Sequence, residues 1–409
     1  MPRPTLEQFR DRHVLLLQSP VGPFFTLLAK DLQSVGAKVH KVNFNGGDWL
    51  FFRASAACFR KAPSEFATWL DAFIGANQIT DIMLCGAGRL FHKVALEYAQ
   101  PRNIPIYAFD EGDIRPNFIS LRVLSTPTDA HIDGLTPVHT VPTIEAGRLY
   151  TVNSQLAFRR AIVFAILYAL ASAIARPWFP YYIHHRDISL KTGLSWLRGF
   201  LLKPIFALTE QSLKKRLLAQ LAGTYFLVPL QVPWDHAITQ RSHYKTQEVF
   251  ISEVIESFAK YASITDSLVF KHHPLSRGFV SYRATLRTLA RRHGLEGRIF
   301  YLHDMPVTQL IRSARGVVTI NSTVGLEAIR LGACTKTLGS AHYDAVGITI
   351  DQPLADFWNA ADRYKPDQQR VEAFVKKMIA ETQLNGNFYL RNSDSLLACG
   401  IHWKPVSYR

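Results

Sequence analysis

Over the first 125 residues, short solid apolar runs alternate with amphipathic stretches. Residues 14–18 (VLLLQ) are one such run, the pattern of a strand buried on both faces. A loop with Ser19, Pro20, Gly22 and Pro23 follows, then a helical spacing through Leu27, Leu28 and Leu32 that ends at Gly36 as a cap. Further strands are predicted over 38–44, 81–85 and 104–109, with helices over 65–74 and 91–99. This βαβα rhythm implies a parallel sheet with helices on both faces. From about 150 to 222 the pattern turns helical, with interruptions expected at Pro177, Pro180 and Pro204. Strands resume over 225–229, 268–270, 299–303 and 317–320, between helices that include 248–261 and 282–293. The expected class is α/β, with two doubly wound domains over 1–149 and 223–350. A basic helical insertion over 150–222 separates them, and a helical tail occupies 351–409.

In such sheets ligands sit at the carboxyl ends of strands, so the loops there are the candidates. The fourth strand runs into Asp110-Glu111-Gly112, with Arg115 close behind. Adjacent carboxylates beside a glycine suit a nucleophile or general base, and strand alternation turns only one of them to the reaction. The competing account is a solvated acidic turn, or a carboxylate paired with Arg115. In the second domain Lys271-His272-His273-Pro274, followed by Arg277, offers cations and histidines for a phosphate, or else ordinary loop histidines. Asn321-Ser322-Thr323 precedes a helix, where hydroxyls serve as N-caps and free N–H groups bind anions. Gln18, Ser19 and Gly22 after the first strand, and Gly86-Ala87-Gly88 with Arg89 and His92 after the third, are weaker candidates. The latter is not GxGxxG and lacks the acidic residue a dinucleotide ribose needs, so no nicotinamide cofactor is expected. No metal site is expected either, because consecutive histidines diverge and the four cysteines form no CxxC pair.

Composition narrows the partners. The 409 residues are 48% hydrophobic and 12% aromatic, which excludes disorder for most of the chain. Forty-seven Lys and Arg against 32 Asp and Glu leave a charge of +15, which calls for a polyanion. Within 150–222 ten basic residues face two acidic ones, a surplus of +8, beside the apolar run 161–175 and aromatics such as Trp178, Tyr181 and Tyr182. That combination describes an interfacial membrane contact; a buried helix with a solvated basic flank is the alternative. His184, His185 and Arg186 are candidates to grip phosphate from the same insertion. The run 161–175 would span about 22 Å, short of the roughly 30 Å hydrocarbon core, so no transmembrane helix is expected. With no signal peptide, the expected location is cytoplasmic and peripheral to the membrane. Nucleic acid ranks last among the polyanions, since no recognised binding motif is present.

The order of these pieces resembles the capsule polysaccharide biosynthesis family, the KpsS-type β-Kdo glycosyltransferases of Gram-negative bacteria. The resemblance is carried by LQSPVGPFF (17–25), HKVNFNGGD (40–48), GRLFH (88–92), FDEGDIRPNFI (109–119), YFLVPLQV (225–232), FKHHPLSRG (270–278) and VVTINSTVGLEA (317–328). The acidic pair, the His-Pro and the Ser/Thr pair are also similar to motifs of bacterial sialyltransferases that use CMP-sugars. The resemblance implies a GT-B-like fold of two Rossmann-like domains with ligand between them. It implies retaining transfer of Kdo from CMP-Kdo to a phosphatidylglycerol-type lipid at the inner-membrane face, beginning a capsule linker. No cofactor is implied beyond the donor itself, and partners would include other capsule assembly and export proteins. By this carry-over Asp110 and Glu111 supply nucleophile or base, and His273 and Pro274 hold the cytidine monophosphate. Ser322 and Thr323 take its phosphate, while Arg89, Arg115 and Lys271 are placed by charge near carboxylate or phosphate. The chain departs from the family where Asp113 replaces an aromatic residue and Arg122 stands near a usual acidic one. A non-catalytic glycolipid-binding component of export is the alternative function.

Overall fold

A computed structural model describes residues 3–124, 149–184, 190–392 and 395–404, with backbone only at 190, 191 and 236. Among these residues the strands fall into two sheets. The first contains β1 (His13–Leu16), β2 (Lys38–Asn43), β3 (Ala56–Cys58), β4 (Asp81–Cys85), β5 (Ile106–Glu111), β6 (Phe118–Leu124) and β12 (Gln383–Asn385). The second contains β7 (Tyr225–Pro229), β8 (Ser267–Lys271), β9 (Ile299–Leu302), β10 (Gly316–Thr319) and β11 (Thr335–Thr337). β4, β7 and β8 are buried at every position, as parallel strands covered on both faces must be.

The first sheet runs β12-β6-β5-β4-β1-β2-β3. Its five parallel strands follow the order 3-2-1-4-5, and β6 and β12 add antiparallel to one edge. Separate apolar clusters fill its two faces: Leu15, Ile82, Leu84 and Phe91 on one, Leu16, Met83, Phe109 and Leu384 on the other. The second sheet, β11-β10-β7-β8-β9, is wholly parallel and repeats the same order when its strands are counted from β7. Each buried Leu, Val or Phe in these layers contributes about 1.5–3 kcal/mol. Both units are therefore Rossmann-like and doubly wound.

The compact units divide the chain differently from the pattern-based boundaries. One gathers described residues up to 124, 149–184 and 375 onward; the other holds 190–374. The 150–222 stretch is thus not one insertion, and the final residues return to the first unit. Their return has a physical cause: Leu384, Ile401 and Trp403 enter its core, and Asp31 accepts the Ala398 and Cys399 amide N–H groups. Two helices also correct expectation. Ser154–Ile174 is 21 residues long, about 31 Å, so length alone does not exclude a membrane span. Pro204 lies inside the helix Leu190–Thr209 instead of breaking it.

Candidate active-site loops

A doubly wound sheet opens where its strand order reverses, between β1 and β4 in the first unit and between β7 and β10 in the second. In both units a glutamine follows the first strand beside that point. Gln18, buried after β1, donates its backbone N–H to His92 Nε2 at 3.2 Å, and its side-chain amide donates to Tyr182 Oη at 2.8 Å and Asp48 Oδ2 at 3.3 Å. Gln231, after β7, donates to Asn321 Oδ1 after β10 at 3.0 Å.

Around Gln18 lies a buried polar network. Asp48 follows β2; its Oδ2 accepts the Phe44 amide at 3.0 Å and its Oδ1 the Tyr168 hydroxyl at 3.0 Å. Asn45 caps the helix Gly46–Phe51 and also donates to Tyr168 Oη at 2.6 Å. Burial, with the Asp48 charge beside it, pushes Tyr168 well above its ordinary pKa and Tyr182 up to about 12. Burial lowers Lys41, at the same edge, to about 8. His184 packs its ring against Tyr168 and Tyr182. None of Lys41, Asn45, Asp48, Tyr168 and Tyr182 was singled out for chemistry by sequence. Asp48 was within reach of the rule applied to the other loops, because it follows a strand at its carboxyl end.

His92 is placed differently from expectation. It is fully buried, its Nδ1–H donates to the Gly86 carbonyl at 2.8 Å and its Nε2 accepts from Gln18, so both nitrogens tie loops together. Burial, then the Arg89 charge, holds it well below its usual pKa and neutral. Arg89 joins the same loops by donating to the Ser19 carbonyl at 3.1 Å, and the Ser19 hydroxyl donates to the Pro20 carbonyl at 2.6 Å. Gly22 has φ +111°, and a Cβ there would meet the Phe164 ring at 2.7 Å.

The acidic pair ends β5, and alternation separates its members. Both are exposed. Asp110 lines a small cleft with Ala87, Phe109 and Arg122, and its Oδ1 accepts the Glu111 amide at 2.8 Å. Glu111 lies toward Tyr389, whose hydroxyl is 3.4 Å from Oε1. A side chain on Gly112 would run into the Phe118 carbonyl, which fixes glycine after the pair. Arg115 is exposed and donates to the Gly112 carbonyl at 3.1 Å.

In the second unit Lys271 and His272 turn inward. Lys271 Nζ donates to the carbonyls of His272 (3.1 Å) and His303 (2.9 Å), and burial lowers it to about 8. His272 Nδ1 is 2.6 Å from Tyr301 Oη, and burial lowers the ring to about 4. His303, unremarked in the sequence though it follows β9, stacks on Phe206 at 3.8 Å and lies 4.6 Å from His272. Burial, then His272 and nearby cations, lowers it to about 3. Among the described residues neither ring nitrogen of His303 has a hydrogen-bond partner, an exception in a packed interior. Glu210 fixes this turn by accepting the His303 and Asp304 amides at 2.8 and 2.9 Å. Arg277 donates to the His303 carbonyl at 3.0 Å.

The outward groups are His273 and Pro274. His273 caps the turn Pro274–Ser276 through Nδ1, and Pro274 is exposed. Ser322 caps the helix Thr323–Arg330 by accepting the Val324 amide at 3.2 Å, while Asn321 Nδ2 donates to the Ala237 carbonyl at 2.9 Å. Thr323 opens that helix. His185 and Arg186 lie outside the described residues.

A sequence model described as capsule polysaccharide biosynthesis protein matches residues 80–389. The chain belongs to the capsule polysaccharide biosynthesis protein family. It is 34% identical over 383 residues to the capsule polysaccharide export protein KpsS of Escherichia coli, covering 92% of this chain and 96% of that one. It is 32% identical over 388 residues to the capsule polysaccharide modification protein LipB of Neisseria meningitidis serogroup A, covering 92% and 91%. Among solved structures, Thermosulfurimonas dismutans KpsC, a β-Kdo 2,7 transferase, aligns over 89% of each chain at 12% identity with a TM-score of 0.41. Within this capsule-family chain Asp113 and Arg122 form an ion pair at 2.9 Å, with Gln383 Nε2 also donating to Asp113 Oδ2 at 3.0 Å.

Proposed function

We propose that the protein is a glycosyltransferase that moves Kdo from CMP-Kdo to a phosphatidylglycerol-type lipid acceptor and so begins the linker of a capsule polysaccharide. The observation that carries this reading is the position of the family motifs. Asp110-Glu111, His273-Pro274 and Asn321-Ser322-Thr323 all stand at the carboxyl ends of parallel strands in doubly wound units. The reading assigns chemistry to the first unit and the CMP moiety to the second.

Asp110 is assigned as nucleophile because it lines the cleft with Ala87 and Arg122, while Glu111 lies toward Tyr389. Its carboxylate attacks the Kdo anomeric carbon as the bond to the phosphate oxygen breaks, and CMP leaves with that electron pair. An acceptor hydroxyl then displaces the carboxylate and gives its proton to a base, so two inversions retain configuration. His273 and the amides at the start of the helix Thr323–Arg330 are assigned to the phosphate. The reading needs no cofactor besides the donor.

The test separates chemistry from binding. Purified wild type and Asp110→Ala are incubated with CMP-Kdo and a phosphatidylglycerol analogue, and CMP binding is measured by calorimetry. Transfer lost in Asp110→Ala with CMP binding kept supports the assignment. Glycolipid binding unaffected by CMP, with no turnover of any CMP-sugar by folded protein, replaces it with a non-catalytic role in export.

A further inference from the structure

Two consecutive long helices, one in each unit, turn small, aromatic and hydroxyl-bearing residues inward and their large aliphatic residues outward, unlike a helix packed in water. On Ser154–Ile174 the inward stripe is Ala157, Phe164, Tyr168, Ala171 and Ser172, one face at helical spacing. Tyr168 and Ser172 bond to Asp48 and Asn45, and Gly47 leaves room for the Tyr168 ring, which a Cβ would meet at 2.5 Å. Outward stand Phe158, Val163, Ile166, Leu167, Leu170 and Ile174, between 43% and 74% exposed. On Leu190–Thr209 the inward stripe includes Ser195, Gly199 and Phe206. Ser195 and Gly199 press on Gly278, and Phe206 stacks on His303. Outward stand Leu194, Leu197, Phe200, Leu201, Ile205 and Leu208, between 51% and 70% exposed.

We infer that each of these outward faces seats its own unit on an anionic lipid bilayer, the helix that bears it lying in the interface plane. Charge chooses lipid over a second protein. The exposed ionic side chains described on and beside these helices are all positive: Arg159, Arg160, Arg176, Arg198, Lys203 and Lys215 among them. Glu210, the acidic residue described there, is buried on backbone amides. Exposed Trp178 and Tyr181 follow the first helix, the residue types that settle at headgroup level. In-plane seating follows from the inward stripes. The first helix is held to its unit from Ala157 to Ser172, so spanning would expose Tyr168 and Ser172 to hydrocarbon and strip Asp48 of a donor. The second carries Arg198 and Lys203 among its exposed positions.

The inference deepens the lipid side of the proposed function and rests on that reading only for the acceptor's identity; its test needs no turnover, so the two fail separately. Full-length protein is floated with phosphatidylcholine vesicles, with and without phosphatidylglycerol. The variants are Ile166→Glu/Leu170→Glu in the first unit and Phe200→Glu/Leu201→Glu in the second, with circular dichroism and thermal melting confirming the fold. Wild type is expected to float with phosphatidylglycerol vesicles, to leave them in alkaline carbonate, and to lose at least tenfold in partitioning with either variant. Carbonate-resistant retention would overturn in-plane seating. Failure to float would overturn the inference, and self-association in ultracentrifugation that the variants abolish would overturn it by showing that a second copy covers these faces.

Discussion

At the scale of single residues, the pair Asp110 and Glu111 shows how backbone geometry separates two carboxylates that composition leaves equal. Successive side chains on a strand diverge, so Asp110 lines the cleft with Arg122 while Glu111 turns toward Tyr389. Asp110→Asn is expected to lower kcat by about 10²–10⁴-fold, with Glu111→Gln losing less, in steady-state assays of Kdo transfer. Equal losses would remove the distinction. Asp113 and Arg122 make a second case. They pair with each other at 2.9 Å, largely shielded from solvent. A cycle of Asp113→Asn, Arg122→Met and the double variant, read by denaturant unfolding, is expected to give a coupling of about 0.5–3 kcal/mol. A coupling of zero would contradict an energetic role for the pair.

Among elements, the parallel strands were legible because burial on both faces demands solid apolar runs: 81–85 and 225–229 coincide with β4 and β7. The short strands β3, β11 and β12 and the antiparallel β6 were not. Their residues are few or partly polar, and they pair only because an edge of a formed sheet accepts them. The candidate site was legible at the strand-end motifs for the same reason, since solid runs end where those loops begin. The Asp48–Tyr168 network was not, because 120 residues separate partners that only tertiary packing joins. His303 also belongs to this scale, as the end of β9 packed against the helix Leu190–Thr209. Burial lowers its pKa to about 3 and that of His272 to about 4, below the unfolded value near 6.5. The folded state therefore binds fewer protons. The stability these neutral rings contribute is full above about pH 6.5 and is lost as pH falls through the window toward 4 and 3. Thermal midpoints are expected to drop between about pH 7 and 4.5, and His303→Phe, which keeps the stack on Phe206, to make the drop shallower. An unchanged slope would contradict the burial of a titrating ring.

For the whole molecule, the charge of +15 and the mean hydropathy of +0.01 resolve into different tasks. Much of the positive surplus lies on and beside two helices whose exposed faces are apolar, while the strand-end loops hold a separate set of histidines, hydroxyls and carboxylates. Two copies of one strand order supply those loops, each with a glutamine after its first strand. Membership in the capsule polysaccharide biosynthesis family gives this arrangement its context, and the transfer of Kdo is the claim on which the account turns. The most direct measurement is the intact mass of a phosphatidylglycerol analogue after incubation with purified protein and CMP-Kdo. The account predicts a lipid heavier by one or more Kdo residues, with CMP released in equal amount and no product from Asp110→Ala. Unchanged lipid, from folded protein that binds the vesicles and with every CMP-sugar offered, would contradict it.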